Sequence, residues 1–383
     1  MTQSLNRRTL ITLATSLALS IPFACAAGSA VVKIGFAGPL TGPQAHYGED
    51  MKSGIAFAID EANASQPKIG GQPVKFELVA ADDQADPRSA TAVAQRFVDS
   101  GVNGIIGHFN SGTSIPASRI YSQAGIPQIS MSTAPAYTSQ GFKTTFRAMT
   151  SDTQQGPTLG NFAVKKLGLK RIAIVDDRSA YGQGLADQFE KAAKAAGADI
   201  VQREYTTDRA TEFSAILTNI KAKRPDAIFY GGADTQSAPM VNQMRRLGMT
   251  MPLISGEMTR TDNFLKTTAA NGNGVMVSLA GLPIEQAPGG AAFMGKLKAK
   301  YKAADFYAPF AYDATMTMIR AMQSANSADP KKYLPVLAAS NVPGVAAKTI
   351  AWDTKGDLKN GDITIYKAFN GKWVPIESVT AGK

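Results

Sequence analysis

The chain has 383 residues, 44% of them hydrophobic, and a formal net charge of +10. Its one cysteine, Cys25, lies near the N-terminus, so the rest of the chain can form no disulfide, thiolate nucleophile or cysteine metal site. The basic residues sit on polar helix faces, as in Lys296–Lys302, without aromatic interleaving, so no nucleic-acid partner is expected.

Residues 1–27 read as an export signal. Arg7 and Arg8 supply the positive start, Leu10–Phe23 the mostly apolar run, and Ala24-Cys25-Ala26 the small residues at its end. The run is too short to span a bilayer, and the general secretory route fits it better than the twin-arginine route. Cys25 is expected to leave with this segment. The segment holds two basic residues and no acidic one, so its removal takes +10 to +8. Roughly 355 residues remain, more than one comfortable core, and two domains are expected.

Short β-branched runs then alternate with amphipathic stretches. Val31–Phe36 predicts a strand, and about 47–63 a helix with Met51, Ile55, Ile59 and Ala62 on one face. Val74–Val79 is the next strand, followed by a helix opened by Asp86-Pro87, with proline at its favoured first-turn place. Gly104–Gly107 and Ile126–Ser130 continue the βαβ pattern, and a helix is expected to open at Ile115-Pro116. The grammar restarts after about Thr150 with strands at Arg171–Val175, Ile200–Tyr205, Asp226–Gly231 and Pro252–Ser255 and a helix at Gly184–Ala196. From Lys348 onward the chain reads as paired strands, Thr349–Trp352, Ile363–Phe369 and, after an Asn370-Gly371 turn, Lys372–Pro375. This is an α/β chain of two Rossmann-like blocks in tandem.

No phosphate fingerprint accompanies the blocks. Gly182-Gln183-Gly184 stands between a strand and a helix, but Asp187 occupies the third glycine position and would repel a pyrophosphate. P-loop, Gly-x-Ser-x-Gly and paired-histidine metal motifs are absent from the sequence, so no cofactor, metal or catalytic residue is assigned. In their place stand loops of small hydroxyl residues: Gly38–Pro43, Asn110–Ser114 and Ser130–Pro135. Such loops cap helices routinely. Placed beyond neighbouring parallel strands, they also suit an anion. Glu257, after Pro252–Gly256, is a lone acid at a strand end in the second block, suited to an ammonium group. Only two histidines occur, His46 and His108, each beside a hydroxyl loop. A secreted hydrolase using His108 with Ser111 is the rival from another class.

In order along the chain, several motifs make it resemble the leucine/isoleucine/valine-binding proteins of bacterial ABC importers, type I periplasmic binding proteins. They are Gly38–Pro43 with Tyr47-Gly48, Ala81-Asp82-Asp83, Gly107-His108, Pro116-Ala117-Ser118, and Asp152 through Gln155-Gly156-Pro157. Further markers are Arg171–Val175 with Tyr181-Gly182, Tyr230-Gly231-Gly232, and Trp352-Asp353-x-Lys355-Gly356-Asp357. The resemblance implies two lobes with parallel central sheets, joined by three hinge crossings near Thr150, Gly281 and Gly361. Lobe one would comprise 28–150 and 282–360, and lobe two 151–281 and 361–383. It also implies that Ser111, Ser132 and Thr133 hold an amino-acid carboxylate, that Glu257 holds the ammonium, and that Tyr47 and Tyr181 line the cleft. An aromatic contact from 307–312 is implied as well. The implied protein is a monomer in the periplasm that captures an amino acid, a branched-chain aliphatic one, and delivers it to an inner-membrane ABC permease without altering it. The same fold binding another small carboxylate, amide or aromatic acid, or acting as a sensor, stays open. Two departures stand out: Ala233 replaces a tyrosine after the Gly-Gly pair, and Ala85 and Asn110 replace a cysteine pair.

Overall fold

The computed structural model describes residues 29–380, apart from 288 and 360, so the export signal read at 1–27 lies outside the described residues. The first sheet is built from β1 (Ala30–Gly38), β2 (Lys68–Ile69), β3 (Gln72–Asp82), β4 (Gly104–Gly107), β5 (Gln128–Ser130) and β6 (Thr145–Arg147), in the order β2-β3-β1-β4-β5-β6. All its pairs are parallel except β2 with β3. Between these strands run α1 (Ala45–Ala64), α2 (Pro87–Asp99) and α3 (Ser111–Ala124). On α1 the expected face forms: Met51, Ile55, Ile59 and Ala62 are all buried.

The chain then leaves this sheet for a second one. It passes α4 (Asp152–Asn161) and adds β7 (Arg171–Asp176), α5 (Ala180–Ala195), β8 (Asp199–Tyr205), α6 (Ser214–Ala222), β9 (Ala227–Gly231), α7 (Asp234–Arg246), β10 (Leu253–Ser255), α8 (Asp262–Thr268) and β11 (Met276–Ala280). After β11 it returns to the first lobe, where α9 (Gly290–Lys300) and α10 (Ala308–Ser324) pack on α1, and α11 (Pro330–Ala338) packs on α10. A two-stranded ribbon, β12 (Asn341–Val342) with β13 (Ile350–Ala351), precedes a third crossing. The chain ends in β14 (Asp362–Phe369) and β15 (Lys372–Thr380), which extend the second sheet to β15-β14-β11-β10-β9-β7-β8. Among the described residues no helix is long and apolar enough to cross a membrane.

Four local expectations are corrected. First, α3 opens at Ser111 rather than Ile115, because the Asn110 carbonyl already accepts from Thr113 and Ser114 N–H. Second, α5 opens at Ala180 rather than Gly184, because Ser179 caps it, accepting from Gly182 N–H at 2.9 Å. Third, β13 pairs with β12, not with the C-terminal hairpin. Finally, both sheets carry antiparallel edge pairs, and β15 runs past Pro375 to Thr380 through a register shift opposite Ile365 and Tyr366. Proline lacks the N–H that a regular ladder needs, and an edge strand with a bulge tolerates it.

The crossing of α1 and α10 in lobe one depends on one glycine. A Cβ built on Gly54 of α1 would fall on the Ala308 carbonyl at the start of α10. Gly54→Ala should therefore destabilise the protein by ~1–3 kcal/mol, the usual cost of overpacking, read as a lower urea midpoint at unchanged slope.

Candidate functional site

Three adjoining parallel strands of lobe one bring their carboxyl ends to the gap between the lobes. Beyond β4 the chain runs through Phe109 and Asn110 into α3, so Ser111 stands in the first turn of a helix. There the first backbone N–H groups lack helical acceptors and the helix dipole is positive. Beyond β5 comes Met131–Ala134. Ser132 donates its hydroxyl to Ser111 Oγ at 3.0 Å, and Ala134 N–H reaches the same oxygen at 3.3 Å. Ser130 ties both loops together: its hydroxyl donates to the His108 carbonyl at 2.8 Å and accepts from Ser132 N–H at 2.9 Å.

Arg147, at the end of β6, holds the second loop from behind and is fully buried. Its guanidinium donates to the Ser132 carbonyl, to the Ala134 carbonyl at 3.1 Å and to Thr138 Oγ1 at 2.9 Å. Its Nε pairs with Asp357 at 2.8 Å. The Trp352–Asp357 segment closes around this arginine. Trp352 Nε1 donates to the Arg147 carbonyl at 2.7 Å, and Arg147 N–H donates to the Gly356 carbonyl at 2.9 Å. Sequence reasoning assigned Arg147 no role; the motif at 352–357 was its only trace.

Lobe two supplies the facing wall. Beyond β10, residues Glu257–Thr259 form a single 3-10 turn, pinned where Ser255 Oγ donates to the Tyr230 carbonyl at 2.8 Å and meets Thr259 Oγ1 at 2.8 Å. Tyr181, in the first turn of α5, lays its hydroxyl over Gly256, where any Cβ would collide with it. Glu257 and Tyr181 thus stand side by side.

Together these elements enclose a cavity of about 10 Å³ lined by Phe109, Asn110, Ser111, Met131, Ser132, Thr133 and Tyr307 from one lobe and Tyr181, Glu257 and Met258 from the other. That is roughly the space of one water, so anything larger enters only when the lobes part. Buried polar atoms without a hydrogen-bond partner gather here: Thr133 Oγ1, Tyr181 OH, Tyr307 OH and Glu257 Oε2. Such atoms are rare in native interiors and mark where a ligand's groups would go. Burial pushes the Glu257 carboxyl up to about 7, with its own backbone N–H and then the Tyr181, Gln155 and Thr133 side chains holding it back. Burial and the Glu257 charge raise the Tyr181 and Tyr307 hydroxyls.

Five of the six residues singled out from sequence meet at this cavity: Ser111, Ser132, Thr133, Tyr181 and Glu257. Tyr47 does not line it. Its ring stacks behind Phe109, centroids 4.8 Å apart, and its hydroxyl spans the lobes, 2.7 Å from Asp234 Oδ1 and against the Met258 carbonyl. Tyr307 supplies the aromatic contact sought at 307–312. It is placed by Asp50, whose buried carboxylate accepts from the backbone N–H groups of Asp305, Tyr307 and Ala308. Ala233 is buried at the N-cap of α7 and outside the lining, and Asn110 donates to Gln44 Oε1 at 2.8 Å. His108 turns both ring nitrogens elsewhere, to Asp83 at 2.7 Å and to the Tyr121 hydroxyl at 3.0 Å, so neither activates Ser111.

The family described as periplasmic binding protein matches residues 31–372. An amino acid binding protein of Pseudomonas aeruginosa is 34% identical over 372 residues, covering 96% of this chain and 97% of its own length. A leucine-, isoleucine-, valine-, threonine- and alanine-binding protein of the same organism is 33% identical, covering 88% of this chain and 89% of its own. The structure also superposes on a branched-chain amino acid transporter substrate-binding protein from Streptococcus pneumoniae, solved with isoleucine. The TM-score is 0.81 at 25% identity, covering 91% of this chain and 99% of that one.

The Arg147 clamp makes a testable demand. Arg147→Met leaves buried carbonyls of the second loop unpaired and should cost about 3 kcal/mol of folding stability, as for other broken buried pairs, measured by chemical denaturation. Arg147→Lys should recover only part, because an ammonium's three donors radiate from one atom and cannot reach acceptors that the guanidinium meets from three separate nitrogens.

Proposed function

The chain belongs to the periplasmic binding protein family, and on that footing we propose that it captures a branched-chain aliphatic amino acid between its lobes in the periplasm and delivers it, chemically unchanged, to the inner-membrane permease of an ABC importer. The observation that carries this reading is the opposite polarity of two walls facing one narrow gap. Donors at Ser111, Ser132 and Thr133 take the carboxylate, helped by the positive end of α3. Glu257 takes the ammonium from the other lobe, with Tyr181 beside it. Phe109, Met131 and Met258 give the side chain an apolar wall, and the two flexible thioethers let it adapt to valine-, leucine- or isoleucine-sized groups.

Capture is a hinge motion about three crossings, after β6, after β11 and after β13. An amino acid bridges the walls only when the lobes close on it, so its binding energy favours the closed state. Tyr47, hydrogen-bonded across to Asp234, and Arg260, whose guanidinium lies 5.1 Å from the Phe306 ring, add protein-only contacts to that state. The closed monomer is the form the permease reads. The relatives named for branched-chain amino acids support the ligand assignment, and the wall chemistry supports the zwitterion.

Hydrogen bonds to charged groups are worth ~1.5–3 kcal/mol each, so Glu257→Ala should weaken leucine, isoleucine and valine at least tenfold in calorimetry. Unchanged affinity would remove the ammonium assignment, and a thermal-shift screen in which aromatic acids stabilise the protein while these three do not would remove the ligand class.

The pH dependence follows from the raised carboxyl. The folded, unliganded protein holds a proton on Glu257 up to about pH 7 that the unfolded chain loses near its ordinary 4.5. The stability this contributes is complete below 4.5 and is lost as pH rises through about 7. An ammonium favours the ionised form, so the trend in binding runs the other way. Leucine affinity, and the leucine-induced rise in Tm, should increase from pH 5 to pH 7.5, and Glu257→Gln should flatten both.

A further inference from the structure

We propose that Asp234 is the catch of a latch between the lobes, engaged by His46 and Tyr47, which sets how long any ligand is held without choosing among ligands. The inference rests on ligand capture by lobe closure. Asp234 belongs to lobe two and is the first residue of α7, whose N-cap Ala233 supplies no side-chain cap. The positive end of that helix favours its charge. It is fully buried. Lobe two alone orients its carboxylate: Oδ2 accepts from Thr261 Oγ1 at 2.6 Å and from Asn263 Nδ2 at 3.1 Å.

Lobe one then completes the shell from the first turn of α1, where both His46 and Tyr47 stand. Tyr47 OH donates to Asp234 Oδ1 at 2.7 Å, sharing its one proton with the Met258 carbonyl, and its oxygen accepts from Asp234 N–H at 3.3 Å. His46 Nε2 lies 3.1 Å from Asp234 Oδ2, off the line of an aligned hydrogen bond. Burial by itself would favour the neutral acid, but His46, Thr261 and Tyr47 hold the Asp234 carboxyl below its ordinary range. The latch thus closes on an anion. None of the three residues His46, Tyr47 and Asp234 lines the ligand cavity.

Parting the lobes breaks the His46 and Tyr47 contacts and leaves those from Thr261 and Asn263 in place. Water then takes the vacated positions, so the latch is worth the difference between exchanged hydrogen bonds and not their full strength. Every ligand that needs the closed form gains the same increment, because its apparent affinity scales with how readily that form is reached. The contacts must break before a ligand leaves, so their effect falls on dissociation and not on association. Asp234 and Tyr47 are therefore positioning residues, acting on the ligand through the closed form.

The test uses leucine, isoleucine and valine on the wild type, Tyr47→Phe, Asp234→Asn and the double variant. Calorimetry gives the affinities, stopped-flow the rates, and small-angle scattering the size of each ligand-free protein. Tyr47→Phe keeps the ring that stacks on Phe109, centroids 4.8 Å apart, and so keeps the cavity wall. The expected result is an affinity weaker by about tenfold, the same for all three ligands, carried by faster dissociation. The ligand-free variants should also show a larger radius of gyration. The double variant should lose little more than the larger single loss, as for residues that act through one contact. Affinities indistinguishable from wild type overturn the latch. So do losses that differ among the ligands, which would make Tyr47 a ligand contact, and losses that add in the double variant. Should Asp234→Asn fail to fold, Tyr47→Phe decides by itself. A wild type that binds none of the three removes the functional reading, and the latch then falls if ligand-free Tyr47→Phe is no more extended than wild type.

Discussion

The organising constraint is a narrow gap that buries polar groups of opposite character on facing walls. Glu257 on one side and the hydroxyl loops on the other are each poor tenants of an interior, because a buried polar group without a partner costs far more than it returns. The Thr133 and Tyr181 hydroxyls can turn protons toward Glu257, but among the described residues no cation lines the cavity to balance its charge. A zwitterion supplies both missing halves. It bridges loops that belong to different sheets, so recognition and lobe closure are one event.

Holding such groups in register takes a stiff frame, and most buried polar residues serve it. Arg147 is the centre of that frame in lobe one: one planar cation fixes two carbonyls of the Ser132–Ala134 loop while the Trp352–Asp357 segment wraps it. That segment lies directly before the third crossing, so the same arginine ties the Ser132–Ala134 loop to the stretch of chain that leads into the second sheet. The His108–Asp83–Tyr121 group does comparable work one strand away, and the His108 carbonyl orients Ser130. In lobe two the turn at Glu257 is tied to β9 and α7 through Ser255, Thr259 and Ser237. These bonds are internal to each lobe. Only a few, such as Tyr47 to Asp234, cross between lobes, which leaves the equilibrium between open and closed forms sensitive to a ligand.

Legibility varied with the range of the interaction concerned. The small-residue loops could be read because they follow strand signals within a few residues, and Ser111, Ser132, Thr133 and Glu257 do converge. Tyr181 was readable for the same reason, although its helix begins earlier than expected, at the Ser179 cap. Tyr47 was assigned to the cleft, yet its helix turns it behind Phe109 toward the other lobe, a choice made by packing over nearly two hundred residues of separation. Arg147 carried no readable signal: an arginine at a strand end is ordinary until its burial and partners are known.

By itself the sequence determined the alternation of strands and helices, the division into two α/β blocks, and the chemistry available at the strand ends. Those are written in period, propensity and turn residues, all of which act over a handful of positions. The tertiary structure alone decided which strands are neighbours and which antiparallel strands border the sheets. It also decided that an arginine forms one clamp with a tryptophan and an aspartate some two hundred residues further along the chain. It set the burial that turns Glu257 from a common surface acid into an interior one. The reason is physical: solvation and partner geometry belong to the packed molecule as a whole, and no local stretch of chain encodes them.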